Sequence, residues 1–199
     1  MIALALLLSM QGQSAVDAER AFNRMAQTQG QWAAFRAYAT DDAVMFLPQP
    51  SNAQAFLKDR NEPPIAVQWW PADSYVACDG TTAVNTGPWV RPGGSGYFTT
   101  VWHRQQDGGW KWSYDAGDAL ATPRALPERP RVRRAACTGK PVPPPPPATE
   151  RSGAGASPDG TLIWRWQVDA DGARRFVAAL WTGRRYATVV NDRVAAVTP

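Results

Sequence analysis

Gly96-Tyr97-Phe98-Thr99-Thr100-Val101-Trp102-His103-Arg104, then Asp107-Gly108-Gly109, then Trp110-Lys111-Trp112-Ser113-Tyr114-Asp115-Ala116 reads as two strands joined by a glycine turn. Its aromatic and β-branched residues suit a pleated, half-buried surface. The same texture extends backwards. Val67–Ala77, the turn Asp79-Gly80, Thr82–Val90 and the turn Pro92-Gly93-Gly94 complete an antiparallel meander over residues 67–116. Upstream, Ala18, Phe22, Met25, Trp32 and Phe35 recur at three- and four-residue intervals, with a gap at Gln29. That spacing predicts helix over 15–38, broken at Gly30. Thr40-Asp41-Asp42 makes a polar corner, Ala43–Leu47 a short strand ended by Pro48, and Ala53–Arg60 a second helix closed by Pro63-Pro64. Helices first and a sheet second predict an α+β fold.

Downstream, residues 121–157 read as a Pro/Arg-rich linker. Its run Pro143–Pro147 favours extended polyproline II, a stiff spacer rather than a ligand for a proline-recognising partner. Residues 158–199 carry three strand signals, Thr161–Val168, Arg175–Trp181 and Tyr186–Asn191, separated by Asp171-Gly172 and Thr182-Gly183. A meander this small cannot hold a core alone, so it is expected to dock on the main domain. Asp169-Ala170-Asp171-Gly172 lacks the further ligands of a calcium loop and reads as a hairpin turn.

The 199 residues fit one domain of about 15–120 plus this appendage. Charge divides unevenly: residues 1–120 carry eight Lys/Arg and eleven Asp/Glu, residues 121–199 thirteen and six. No nucleic-acid motif accompanies the scattered arginines, so a solvated basic surface is expected and a nucleic-acid partner is not. Met1–Leu8 is an unbroken apolar run followed by small polar residues, similar to a secretory signal over residues 1–14. It lacks a leading Lys or Arg and is too short to span a bilayer. The reading is an exported, periplasmic or secreted bacterial protein without a transmembrane span. Cys78 and Cys137 are the two cysteines. In an oxidising compartment they would form one disulfide, worth about 4 kcal/mol by loop closure; otherwise they are two buried thiols.

The leading helix followed by Phe35-Arg36-Ala37-Tyr38-Ala39-Thr40-Asp41-Asp42-Ala43-Val44, together with the 96–112 hairpin, resembles the nuclear-transport-factor-2-like and SnoaL-like proteins over about residues 15–120. The resemblance implies a cone of N-terminal helices packed on a curved antiparallel sheet, with a pocket between them. It implies no single activity, because the fold houses isomerases, cyclases, hydrolases, dehydratases and non-catalytic members.

His103 is the only histidine, and Asp115 is the attractive carboxylate of the same hairpin. With a two-residue turn they point to opposite sides of the sheet, which argues against a His–Asp dyad. Taken singly, each is a candidate general base: Asp115 beside tryptophan, where desolvation raises a carboxyl, and His103 among Tyr97, Val101, Trp110, Trp112 and Tyr114. Tyr38, Trp102, Trp112 and Tyr114 are candidate ligand-binding residues. Trp69, Trp70, Trp89, Trp102, Trp110 and Trp112 form either a flat aromatic platform or ordinary core. No phosphate loop, nucleophile elbow or metal-ligand cluster is present, so no cofactor and no metal are expected. The favoured function is non-catalytic binding of a small apolar or amphipathic molecule or a partner, and a homodimer is compatible with it. The alternative is an isomerase, lyase or hydrolase using Asp115 or His103 as base.

Overall fold

The computed structural model describes residues 12–46, 49–146 and 151–196. Most of the expected signal segment lies outside them. Helix α1 (Ala15–Gln29) starts at Ser14, whose hydroxyl accepts from Asp17 N while the Asp17 carboxylate accepts from Ser14 N. This reciprocal cap satisfies two otherwise free donors. The break at Gly30 is real: its φ of 113° is a region L side chains avoid. Helix α2 (Gln31–Tyr38) follows, and its free N–H groups at Trp32 and Ala33 donate to the two Glu62 oxygens at 2.7 and 2.8 Å.

Strand β1 (Ala39–Phe46), β2 (Pro50–Asn52), helix α3 (Ala53–Leu57), β3 (Gln68–Trp69), β4 (Asp73–Val76), β5 (Thr82–Arg91), β6 (Gly94–Arg104), β7 (Trp110–Ala119) and β8 (Arg131–Arg134) complete the first unit. The strands form one sheet in the order β2-β1-β7-β6-β5-β4-β8, with β3 also on β5. Its centre is the antiparallel meander. Two flanks are not: β1 joins β7 and β8 joins β4 in parallel. The polar corner at Thr40–Asp42 lies within β1, and α3 stops short of Arg60.

The segment read as linker is partly sheet. β8 extends the main sheet, and β9 (Ser152–Ala156) pairs with β10 (Leu162–Val168). The second sheet therefore has four strands, β12-β11-β10-β9, with β11 (Arg174–Trp181) and β12 (Tyr186–Val194). Sequence spacing missed β9 because Ser-Gly-Ala-Gly-Ala has almost no side chain to pattern. Those glycines are needed: a Cβ at Gly155 would sit 2.2 Å from the Trp164 ring.

Three layers result, helices on one face of the main sheet and the second sheet on the other. The helix-side core joins Phe22, Trp69, Phe98, Trp102 and Trp112. The outer core joins Tyr75, Val84, Val101 and Tyr114 of the main sheet to Leu162, Phe176, Leu180 and Val190 of the second. Polar contacts reinforce the junction: Cys78 N donates to Thr161 Oγ1 at 2.8 Å, and Arg124 pairs with the buried Asp192. Cys78 and Cys137 are disulfide-bonded, with Cα atoms 5.2 Å apart.

Candidate functional site

The side facing the helices is set by strand alternation. Asn85 on β5, Thr100 on β6 and Asp115 on β7 are direct cross-strand neighbours. The β6–β7 loop spans five residues, from Arg104 to its partner Trp110, rather than two. An odd loop would bring His103 and Asp115 to one face. A bulge between Val101/Tyr114 and Trp102/Trp112 inserts Ser113 and reverses the parity. Asp115 thus faces the helices with Trp102 and Trp112, while His103 and Tyr114 face the second sheet. The opposite-side expectation stands, but Trp110 and Trp112 sit on Asp115's side and Ser113 on that of His103.

A cavity of about 370 Å³ opens between the helices and this face. Trp32, Phe35, Met45, Trp69 and Trp89 give it apolar walls, and Asp115 supplies a carboxyl. Arg91, Gln31 and Asp118 add polar lining. Trp69 and Trp89 are cross-strand partners, so both indoles project from the same face of the sheet. Gly96 makes room for the second: a Cβ there would lie 2.6 Å from the Trp89 ring.

Asp115 is partly buried and accepts a 2.9 Å hydrogen bond from Thr100 Oγ1. Removal from water pushes its carboxyl up to about 7; the Thr100 bond pulls the other way, and the negative charge of Glu19 adds to the rise. Glu19 on α1 is fully buried, and burial pushes it too up to about 7 against three hydrogen bonds that lower it. Sequence reasoning missed Glu19. The signal was legible, because it lies four residues after Ala15 and three before Phe22, on the apolar stripe of α1.

The other candidates lie elsewhere. Trp102 and Trp112 have no exposed surface and are core. Tyr38 packs against Phe22 and Trp102, with ring centroids 5.3 and 5.8 Å apart. Tyr114 stacks on Phe176 of the second sheet at 4.5 Å. None of the four lines the cavity. His103 Nε2 is 2.7 Å from Ser113 Oγ and the ring packs on Trp164; burial lowers its pKa, partly offset by Asp42. The six tryptophans form no flat platform, since Trp69, Trp102, Trp110 and Trp112 are buried.

The layout of helices on a sheet meander is the one implied by the likeness to nuclear-transport-factor-2-like proteins. No family model and no curated protein matches the sequence. Among solved structures, the chain is similar to a candidate ketosteroid isomerase from Parabacteroides distasonis, at 16% identity over 57% of this chain and 93% of that one, TM-score 0.44. It is similar also to a cystatin-like fold protein from Burkholderia xenovorans, at 15% identity over 54% and 91%, TM-score 0.42. A third is ActVI-ORFA from Streptomyces coelicolor, at 18% identity over 53% and 93%, TM-score 0.38.

An acid with a raised folded-state pKa penalises the folded state once ionised. The Asp115 penalty is absent below its ordinary value of 3.8 and complete above about 7. Asp115→Asn should therefore gain stability relative to wild type as pH rises from 5 to 8, measured by urea unfolding at each pH. A stability difference independent of pH would show that Asp115 titrates normally.

Proposed function

We propose that the chain binds a small, flat, largely apolar molecule in the helix-side cavity, with Asp115 accepting a hydrogen bond from its polar group. The carrying observation is the partly buried Asp115 carboxyl, held by Thr100, in the wall of an aromatic cavity of about 370 Å³. That volume lies within the range of small-molecule sites, which pair apolar walls with few polar groups. Above pH of about 7 Asp115 is an acceptor only, which suits a hydroxyl or amine donor.

A second reading keeps the same site and makes Asp115 a general base in an isomerase, lyase or hydrolase. The carboxyl's placement near 7 favours it, because a base works best with a pKa near the operating pH. His103 has no part in this reading, since it faces the second sheet. A thermal-shift panel of small aromatic and alicyclic alcohols, phenols and amines tests binding. At least one should stabilise the protein at pH 8, with the gain cut about tenfold in apparent affinity by Asp115→Asn, as for loss of a hydrogen bond to a charged group. A panel without a single stabiliser would refute the binding reading. Exchange of carbon-bound hydrogens of the bound molecule in D₂O, or its hydrolysis, dependent on Asp115, would select catalysis; absence of both would select binding alone.

The reading includes export. Disulfides persist in oxidising compartments, and Cys78–Cys137 joins the loop after β4 to the segment after β8. No helix among the described residues is long and apolar enough to cross a membrane. Protein recovered from the periplasm of an expressing bacterium should titrate with no free thiol. Two free thiols would count against export and pairing together.

A further inference from the structure

Glu19 is buried at the junction of α1 with the sheet, where no cation among the described residues pairs with it. Oε1 accepts from Trp69 Nε1 at 2.8 Å. Oε2 accepts from Trp102 Nε1 at 2.6 Å and from Asn85 Nδ2 at 3.2 Å. The donors come from three strands, β3, β6 and β5, and all are neutral. Burying a carboxylate here is costly, and an apolar side chain would join helix to sheet more cheaply. The carboxylate does what an apolar side chain cannot: it fixes the direction of an indole N–H.

Of its three partners, Trp69 lines the cavity. The Trp69 ring meets Phe22 and Phe35 edge-on, at 4.7 and 5.9 Å between centroids. Ring contacts of this kind are weakly directional, whereas a charge-assisted hydrogen bond sets one orientation. We infer that Glu19 is the positioning residue of the cone pocket, holding the Trp69 indole as a fixed wall for the bound molecule. The inference rests on the small-molecule reading above and adds to it a residue that does not touch the ligand.

Protonation of Glu19 would turn an acceptor-only group into one that must also donate. The titratable group coupled to it is Asp115 on β7; Tyr38 on α2 lies against Trp102. Asn85, Trp69 and Trp102 do not titrate, so a pH effect on the Trp69 N–H between 6 and 8 reports the two carboxyls. Asp115→Asn separates them, leaving Glu19 alone.

The test uses the full chain and 2-naphthol, a flat aromatic with one hydroxyl donor. Glu19→Gln places an amide where three donors converge, and Trp69→Phe keeps a ring while deleting the N–H. Both should weaken 2-naphthol binding about tenfold in calorimetric titration at pH 8. In Asp115→Asn protein, the Trp69 indole N–H resonance should move with a single midpoint between pH 6 and 8, and Glu19→Gln should abolish the movement. If Glu19→Gln does not fold, the pH dependence of the Trp69 resonance in Asp115→Asn protein decides. Wild-type affinity in the folded variants, or a pH-invariant Trp69 resonance, would overturn the positioning role while leaving the pocket reading intact. Failure of wild-type protein to bind 2-naphthol or any other member of the panel while its Trp69 resonance titrates would instead remove the pocket reading, and this inference with it.

Discussion

The centre of the main sheet is dry on both sides, and the rest of the molecule answers to that constraint. Seven successive residues of β5, Thr82–Pro88, are buried, as are seven of β6, Gly96–Trp102. An unpaired polar side chain there costs roughly 1–3 kcal/mol; Thr82 Oγ1 carries that cost, and the other four polar residues of the two runs find partners inside the protein. On the outer face Thr86 and Thr99 do so through Asp192 and Arg124, which also tie the second sheet down. On the inner face Asn85 turns to Glu19, and Thr100 to Asp115. The two carboxyls are thereby displaced toward neutrality by the same dryness that stabilises the sheet.

The two faces divide the labour. The outer face is spent on packing: Tyr114, Val101 and Val84 meet the second sheet, and His103 is held between Ser113 and Trp164. The inner face is not filled to its end. Around Trp102 and Trp112 the helices close down fully, but toward Trp89, Asp115 and Gly117 they leave a space. Chemistry therefore concentrates at the far end of β7 rather than at its tryptophans.

Much of this was legible in residues. The period of Ala18, Phe22, Met25 and Phe35 located the helices, Gly30 marked their break, and glycine turns delimited β5, β6 and β7. Asp115 was legible as a carboxylate among aromatics. What escaped has physical causes. The five-residue loop and the bulge at Ser113 each shift alternation by one residue, and their effects cancel for His103 and Asp115 but not for Trp112. β8 is four exposed residues with three arginines, recognisable as a strand only through its partner β4. Tyr114 looked like pocket wall because the second sheet that covers it comes from residues far downstream. Glu19 was passed over because a charged residue on an apolar stripe is easily counted as a polar position.

The central claim is that this dry inner face holds Asp115 as an acid far from its ordinary strength. The most direct check is the ¹³C chemical shift of the Asp115 side-chain carboxyl, followed against pH in the intact, disulfide-bonded chain. A midpoint near 7 is the expected result, with the shift unmoved between pH 3 and 5. A midpoint near the ordinary 3.8 would mean that water reaches the group freely, and the cavity's chemistry as described would not stand.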